Sequence, residues 1–315
     1  MHSCVPRDAD GDALTRPLAC SLARSLSRVL GLLLLASLLG ACSPRLMLVH
    51  GMADELAGQG QAEEDDVLLA RDASPFYLKL SESVLRRTPD HLGLAESVAG
   101  GFTQYAYAFV DAEAERLETR DSRAAQRIHE RAARLYERAR RHALRALELH
   151  SPAVVQALAA PALPPGVRLP PEQVGVAYWA AAAWGAQIAL SKDRPEVVAN
   201  LPQVIRLATL AWQARPGHGD GALASLMGTL EMARPGGSRP QAQAYFARAE
   251  ALGAGRNAGV FVAQAEALAQ PAGDRPAFEA LLRQAVTTAE AHRNLGNEVM
   301  RERAIWLLAT ADDLF

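Results

Sequence analysis

Cys42 is the residue whose surroundings most clearly specify chemistry. It closes Leu39-Gly40-Ala41-Cys42 and follows the apolar stretch Val29 to Leu38, with Arg16, Arg24 and Arg28 ahead of it. A positive segment, a leucine-rich segment and small residues before a cysteine form a lipoprotein signal. The apolar stretch is too short for a bilayer span, which needs about 20 apolar residues. The expected chemistry is a thioether between the Cys42 sulfur and diacylglycerol, after which the acyl chains hold the body at a membrane. Residues 1–41 would then be a signal peptide and 42–73 a lipidated tether and entry segment. The other readings are a retained signal anchor or cleavage without lipid.

No other residue set spells a reaction. There is no cysteine after Cys42, so no thiol nucleophile, disulfide or thiolate metal site is available to residues 43–315. No Gly-x-Ser-x-Gly or His-Glu-x-x-His occurs. His218, in Pro216-Gly217-His218-Gly219-Asp220-Gly221, matches no phosphate-loop or zinc spacing and is expected to cap the helix that follows. His142, His150 and His292 pair with nothing at ligand spacing. The expectation is no enzyme, no cofactor and no metal. The net charge of −2 gives no overall basic field, which argues against nucleic acid.

The elements that carry these residues read as helices throughout. Half the residues are hydrophobic, only 5% are aromatic, and alanine is abundant, a composition that favours close helix packing. Ser74 is expected to cap the first helix, with Pro75 at its first position. Residues 92–110 form the next, where Tyr105 and Tyr107 lie about 200° apart, so that helix should be buried on more than one side. Over Ser122 to Leu149, Ala124, Ile128, Leu135, Ala139 and Ala146 share a face. Nine arginines from Arg116 to Arg145, Arg127, Arg131, Arg134 and Arg138 among them, flank it in one stripe, and with Arg140 there are ten against Glu118, Asp121, Glu130 and Glu137. That stripe is either a solvated face or a docking surface for an acidic partner or anionic headgroups.

Residues 151–171 contain six prolines and read as a loop. Helices resume from Gln173 to Leu314 with short separators, which imply antiparallel neighbours. The fold class is all-α: tetratricopeptide-like antiparallel helix pairs forming a compact superhelical domain over residues 74–315. Ala132, Tyr136 and Ala139, and again Ala242, Phe246 and Ala249, fit Ala-x3-aromatic-x2-Ala, where small residues let helices approach.

Three further stretches carry a resemblance. They are Val176-Ala177-Tyr178-Trp179-Ala180-Ala181-Ala182-Ala183-Trp184-Gly185 with Ile188 to Asp193; Ala244-Tyr245-Phe246-Ala247-Arg248-Ala249; and the tail with Asn297, Arg301, Arg303-Ala304-Ile305-Trp306-Leu307-Leu308 and Asp313-Leu314-Phe315. With Gly100-Gly101-Phe102 and the cysteine signal, the chain resembles the T component of tetratricopeptide-repeat-associated TRAP transporters, the TatT family. The resemblance implies a periplasmic lipoprotein that associates with the solute-binding P component. It also implies a homotrimer with a passage through each protomer for a hydrophobic ligand. Tyr178, Trp179 and Trp184, and Asn297 with Arg301, are the candidate passage contacts, the alternatives being inter-helix packing and a capped terminal helix. Ser43 lacks the aspartate associated with inner-membrane retention, which favours the outer membrane. Rival readings are a scaffold lipoprotein of outer-membrane protein assembly and an α-superhelical enzyme acting on peptidoglycan, for whose catalytic domain the helical pattern leaves no room.

Overall fold

The computed structural model describes residues 44–58 and 64–315. Cys42 and the apolar segment before it lie outside the described residues. Every regular element among the described residues is helical: α1 (Pro44–Gly58), α2 (Val67–Leu85), α3 (Leu92–Tyr105), α4 (Ala112–Leu117), α5 (Ser122–His150), α6 (Pro152–Leu158), α7 (Val174–Ala189), α8 (Pro195–Val198), α9 (Leu201–Ala214), α10 (Ala222–Ala233), α11 (Arg239–Leu252), α12 (Ala258–Gln264), α13 (Arg275–Ala291), α14 (Leu295–Ala309) and α15 (Ala311–Leu314). None is long and apolar enough to cross a membrane. His50–Phe315 makes one compact unit.

Within that unit neighbours in sequence pack as neighbours in space: α2 on α3, α3 on α5, α5 on α7, α7 on α9, α10 on α11, α12 on α13 and α13 on α14. Then α14 packs back onto α2. The alanine-aromatic-alanine triplets are the joints of this stack. Ala132, Tyr136 and Ala139 are at most 1% exposed, and Ala242, Phe246 and Ala249 are fully covered. A methyl at Gly228 would sit 2.8 Å from the Phe246 ring, so α10 and α11 touch where one of them has no side chain.

Three sequence expectations are corrected. Ser74 does not begin a helix. Asp66 does, accepting hydrogen bonds from Leu68 and Leu69 N–H at 3.0 Å, while the Ser74 hydroxyl bonds back to Ala70 C=O inside α2. Burial of Leu78, Val84 and Leu85 carries the helix through Pro75, offsetting the hydrogen bond that proline forfeits. Within 42–73, residues 44–58 and the start of α2 are therefore helical. Residues 151–171 are not all loop: Pro152 opens α6, where its missing N–H costs nothing, and Val154, Ala157 and Leu158 are buried. The buried face of α5 is Ala125, Ala132, Ala133, Tyr136, Ala139, Ala143, Ala146 and Leu147, whereas Ala124, Ile128 and Leu135 are only half-buried.

Candidate functional site

Two π-helical turns interrupt the α-helices, at Ala106–Asp111 after α3 and at Ala265–Ala269 after α12. A π turn inserts one extra residue per turn and re-aims the side chains around it, and such turns concentrate at functional sites. Here it settles the Tyr105 and Tyr107 problem. Tyr105 turns to Phe109, with ring centroids 5.6 Å apart, and Tyr107 turns under the guanidinium of Arg303, 5.3 Å from its ring centre.

Arg303, from α14, is the hub. Its Nη1 donates to Glu115 Oε2 at 2.6 Å and its Nη2 to Glu266 Oε1 at 2.6 Å, with further bonds from Nη2 to Glu115 at 3.1 Å and Nε to Glu266 at 3.2 Å. Glu266 lies on the second π turn, and Glu115 on α4 directly after the first. One guanidinium therefore ties both irregular turns to the last long helix. Burial works against its charge, but Tyr107, Glu266 and Glu115 more than reverse that and hold its pKa well above the usual arginine value. Burial pushes the Tyr107 phenol up. It also raises Asp111, opposed by the hydrogen bond with His129 at 2.8 Å. Tyr136 is buried in the same cluster as Tyr107, 1% exposed, and its hydroxyl has no hydrogen-bond partner among the described residues.

Beside this node lies a small cleft walled by Tyr107, Ala112, Val299, Arg303 and Trp306, with Arg116 and Glu302 also lining it. Its volume of about 20 Å³ is the room of a single water. No group of three or more metal-ligating side chains occurs among the described residues.

A second charged node has the opposite composition. Glu82 on α2 is buried and receives Arg138 through two bonds, Lys79 at 2.7 Å, Arg86 at 3.3 Å and His142 at 2.9 Å. Burial alone would raise its pKa; Arg138, Lys79 and His142 more than reverse it and hold the carboxyl well below its usual value. Arg138 also lies 4.9 Å over the Phe102 ring. It is thus turned inward, while Arg127, Arg131 and Arg134 remain exposed.

The candidate passage residues go to separate partners. Trp179 fills the space over Gly100, where a methyl would lie 2.7 Å from its ring. Tyr178 meets Trp179 at 4.8 Å and His218 at 5.4 Å, and burial pushes its phenol up to about 12. Trp184 is 4% exposed under Arg140, whose guanidinium is 4.9 Å from its ring. Asn297 accepts from Ala258 N–H at 3.0 Å and donates to Arg256 and His292 carbonyls, which fixes the chain entering α12. Arg301 pairs with Glu298 at 2.9 Å. His218 does not cap α10: Gly221 holds that position, and His218 Nδ1 instead meets Arg215 Nη2 at 2.8 Å.

Sequence reading missed Glu115 and Glu266, saw Tyr107 only as a sign of burial on more than one side, and saw Arg303 only as part of a tail motif. One signal was present: two tyrosines too far apart in angle to serve one regular helix face.

A protein of Treponema pallidum (strain Nichols), described only as uncharacterized, is 27% identical over 269 residues, covering 80% of this chain and 81% of the relative. The family model described as TRAP transporter T-component matches residues 63–315, which takes in both charged nodes and the cleft. On that match, the chain belongs to the TRAP transporter T-component family.

Proposed function

We propose that this chain is a lipid-anchored, periplasmic, non-enzymatic subunit that holds the solute-binding P component of a TRAP transporter near the membrane. The observation that carries the reading is the family match across residues 63–315. The acyl anchor on Cys42 and the outer membrane as its site belong to the same proposal, as does the homotrimer. Stacked helix pairs give broad surfaces suited to holding a partner.

The cleft at Arg303 is the proposed point on the path of a hydrophobic ligand. Tyr107 and Trp306 supply apolar walls, and the node acts as a closed latch because the space beside it takes about one water. Tyr178 and Trp179, half-buried where α3 meets α7, stay in the proposal as ligand contacts. Trp184, Asn297 and Arg301 are already committed to packing and hydrogen bonds.

The test is size-exclusion chromatography of the protein with the purified solute-binding protein of a TRAP transporter from the same genome. Co-elution is expected at low and moderate salt. Separate elution under both conditions would overturn the partner assignment.

A further inference from the structure

On α5, Arg123, Arg127, Arg131, Arg134, Arg138, Arg141 and Arg145 fall within an arc of about 80° at 100° per residue. Among the described residues Arg123, Arg127, Arg131 and Arg141 are exposed and make no ion pair within 4.0 Å. Arg134 is 4.0 Å from Glu130, and Arg145 pairs with Glu148 at 3.1 Å. Arg138 reaches from this stripe to Glu82 on α2, where Lys79 of α2 and Arg86 at its end reach the same carboxylate. Glu82 therefore joins the arginine stripe to a basic edge of α2. About 90° further round α2 runs a ridge of exposed apolar residues, Leu69, Phe76 and Leu80, within an arc of about 40°. Phe76 is 76% exposed and Leu69 56%. Asp72 lies beside them and meets Arg71 at 3.1 Å.

Unpaired arginines adjoining an exposed aromatic and aliphatic ridge are the two parts of an interfacial membrane face. The cations meet anionic headgroups, and the apolar side chains enter the acyl boundary. We propose that α2 and α5 together lay the body of this protein against a membrane surface rich in anionic headgroups. The inference rests in one respect on the proposed function: the Cys42 anchor brings that surface within reach. An acidic protein would satisfy the arginines but leaves the neighbouring Phe76 ridge without a matching surface, so the lipid is favoured.

Residues 43–315 contain no cysteine, so Phe76→Cys in the acylated protein offers one free thiol for an environment-sensitive dye. The labelled protein is mixed with vesicles of phosphatidylcholine alone or with added phosphatidylglycerol. Flotation in both is expected from the acyl chains, with a blue shift of the dye only on the anionic vesicles. Reversal at Arg127→Glu, Arg131→Glu and Arg134→Glu together should weaken the shift on the order of a hundredfold in lipid concentration while flotation persists. Dye at Glu196→Cys, on α8, should not respond. Flotation without a lipid-dependent shift at Phe76 overturns the membrane face and leaves the anchor standing. A shift that appears only when the solute-binding protein is added overturns it in favour of protein docking. No flotation refutes the anchor, and the dye on freely mixed protein then decides the face by the same criterion.

Discussion

Glu82 and Arg303 are mirror images in charge and unlike in construction. At Glu82 one buried carboxylate receives four donors, and three of them, Arg86, Lys79 and Arg138, are long side chains 59%, 57% and 30% exposed. At Arg303 a guanidinium only 13% exposed holds two carboxylates that are themselves 26% and 29% exposed. The first node can lose a donor and be re-solvated by water along flexible stems. The second draws its partners from chain segments far apart in sequence, where loss of the hub leaves like charges facing each other. Redundant donors therefore mark a joint, whereas a single hub marks a place where distant segments depend on one group.

The largest effect should come from the hub. Arg303→Met leaves Glu115 and Glu266 unpaired and should destabilise by about 3 kcal/mol in urea denaturation, with Arg303→Lys recovering part of it. A loss no larger than that of Glu82→Gln would overturn the contrast between the two nodes. Glu82→Gln should cost about 2 kcal/mol at neutral pH by leaving its cations without a counter-charge. The pH dependence follows from the depressed carboxyl of the folded state. The Glu82 contribution is present above the unfolded carboxylate value, about 4.3, and is lost as pH falls through the lower folded value. The gap between wild type and Glu82→Gln should thus narrow on acidification below about pH 4.3, and a gap that widened there would contradict the assignment. Tyr136→Phe should change stability least, between zero and a slight gain, because its buried hydroxyl has no partner. A measured loss of more than about 1 kcal/mol would mean that the hydroxyl is bonded in solution, through an ordered water, and belongs to the Arg303 node.

Helical class, most helix positions and the two alanine-aromatic-alanine joints were legible because a 3.6-residue period and small-residue spacing are local signals. The Ser74-Pro75 start misled because it is a sound start signal that tertiary burial overrode, while the effective cap, Asp66, sat in the stretch 42–73 that read as tether and entry segment. The π turns were not legible, since hydrophobic periodicity carries no mark of an i→i+5 register. The arginine stripe was read as one set, yet Arg138 leaves it for Glu82, which no helical wheel of α5 alone contains.

The bond from Arg303 to Glu115 spans 188 residues. Along with the return of α14 to α2, it sets an order on biosynthesis. The earlier helices are synthesised long before the side chain that completes their contacts. Maturation of this protein should accordingly be a late, all-or-none event governed by chain closure, and a chain stopped before Arg303 should be degraded rather than accumulate as a working fragment.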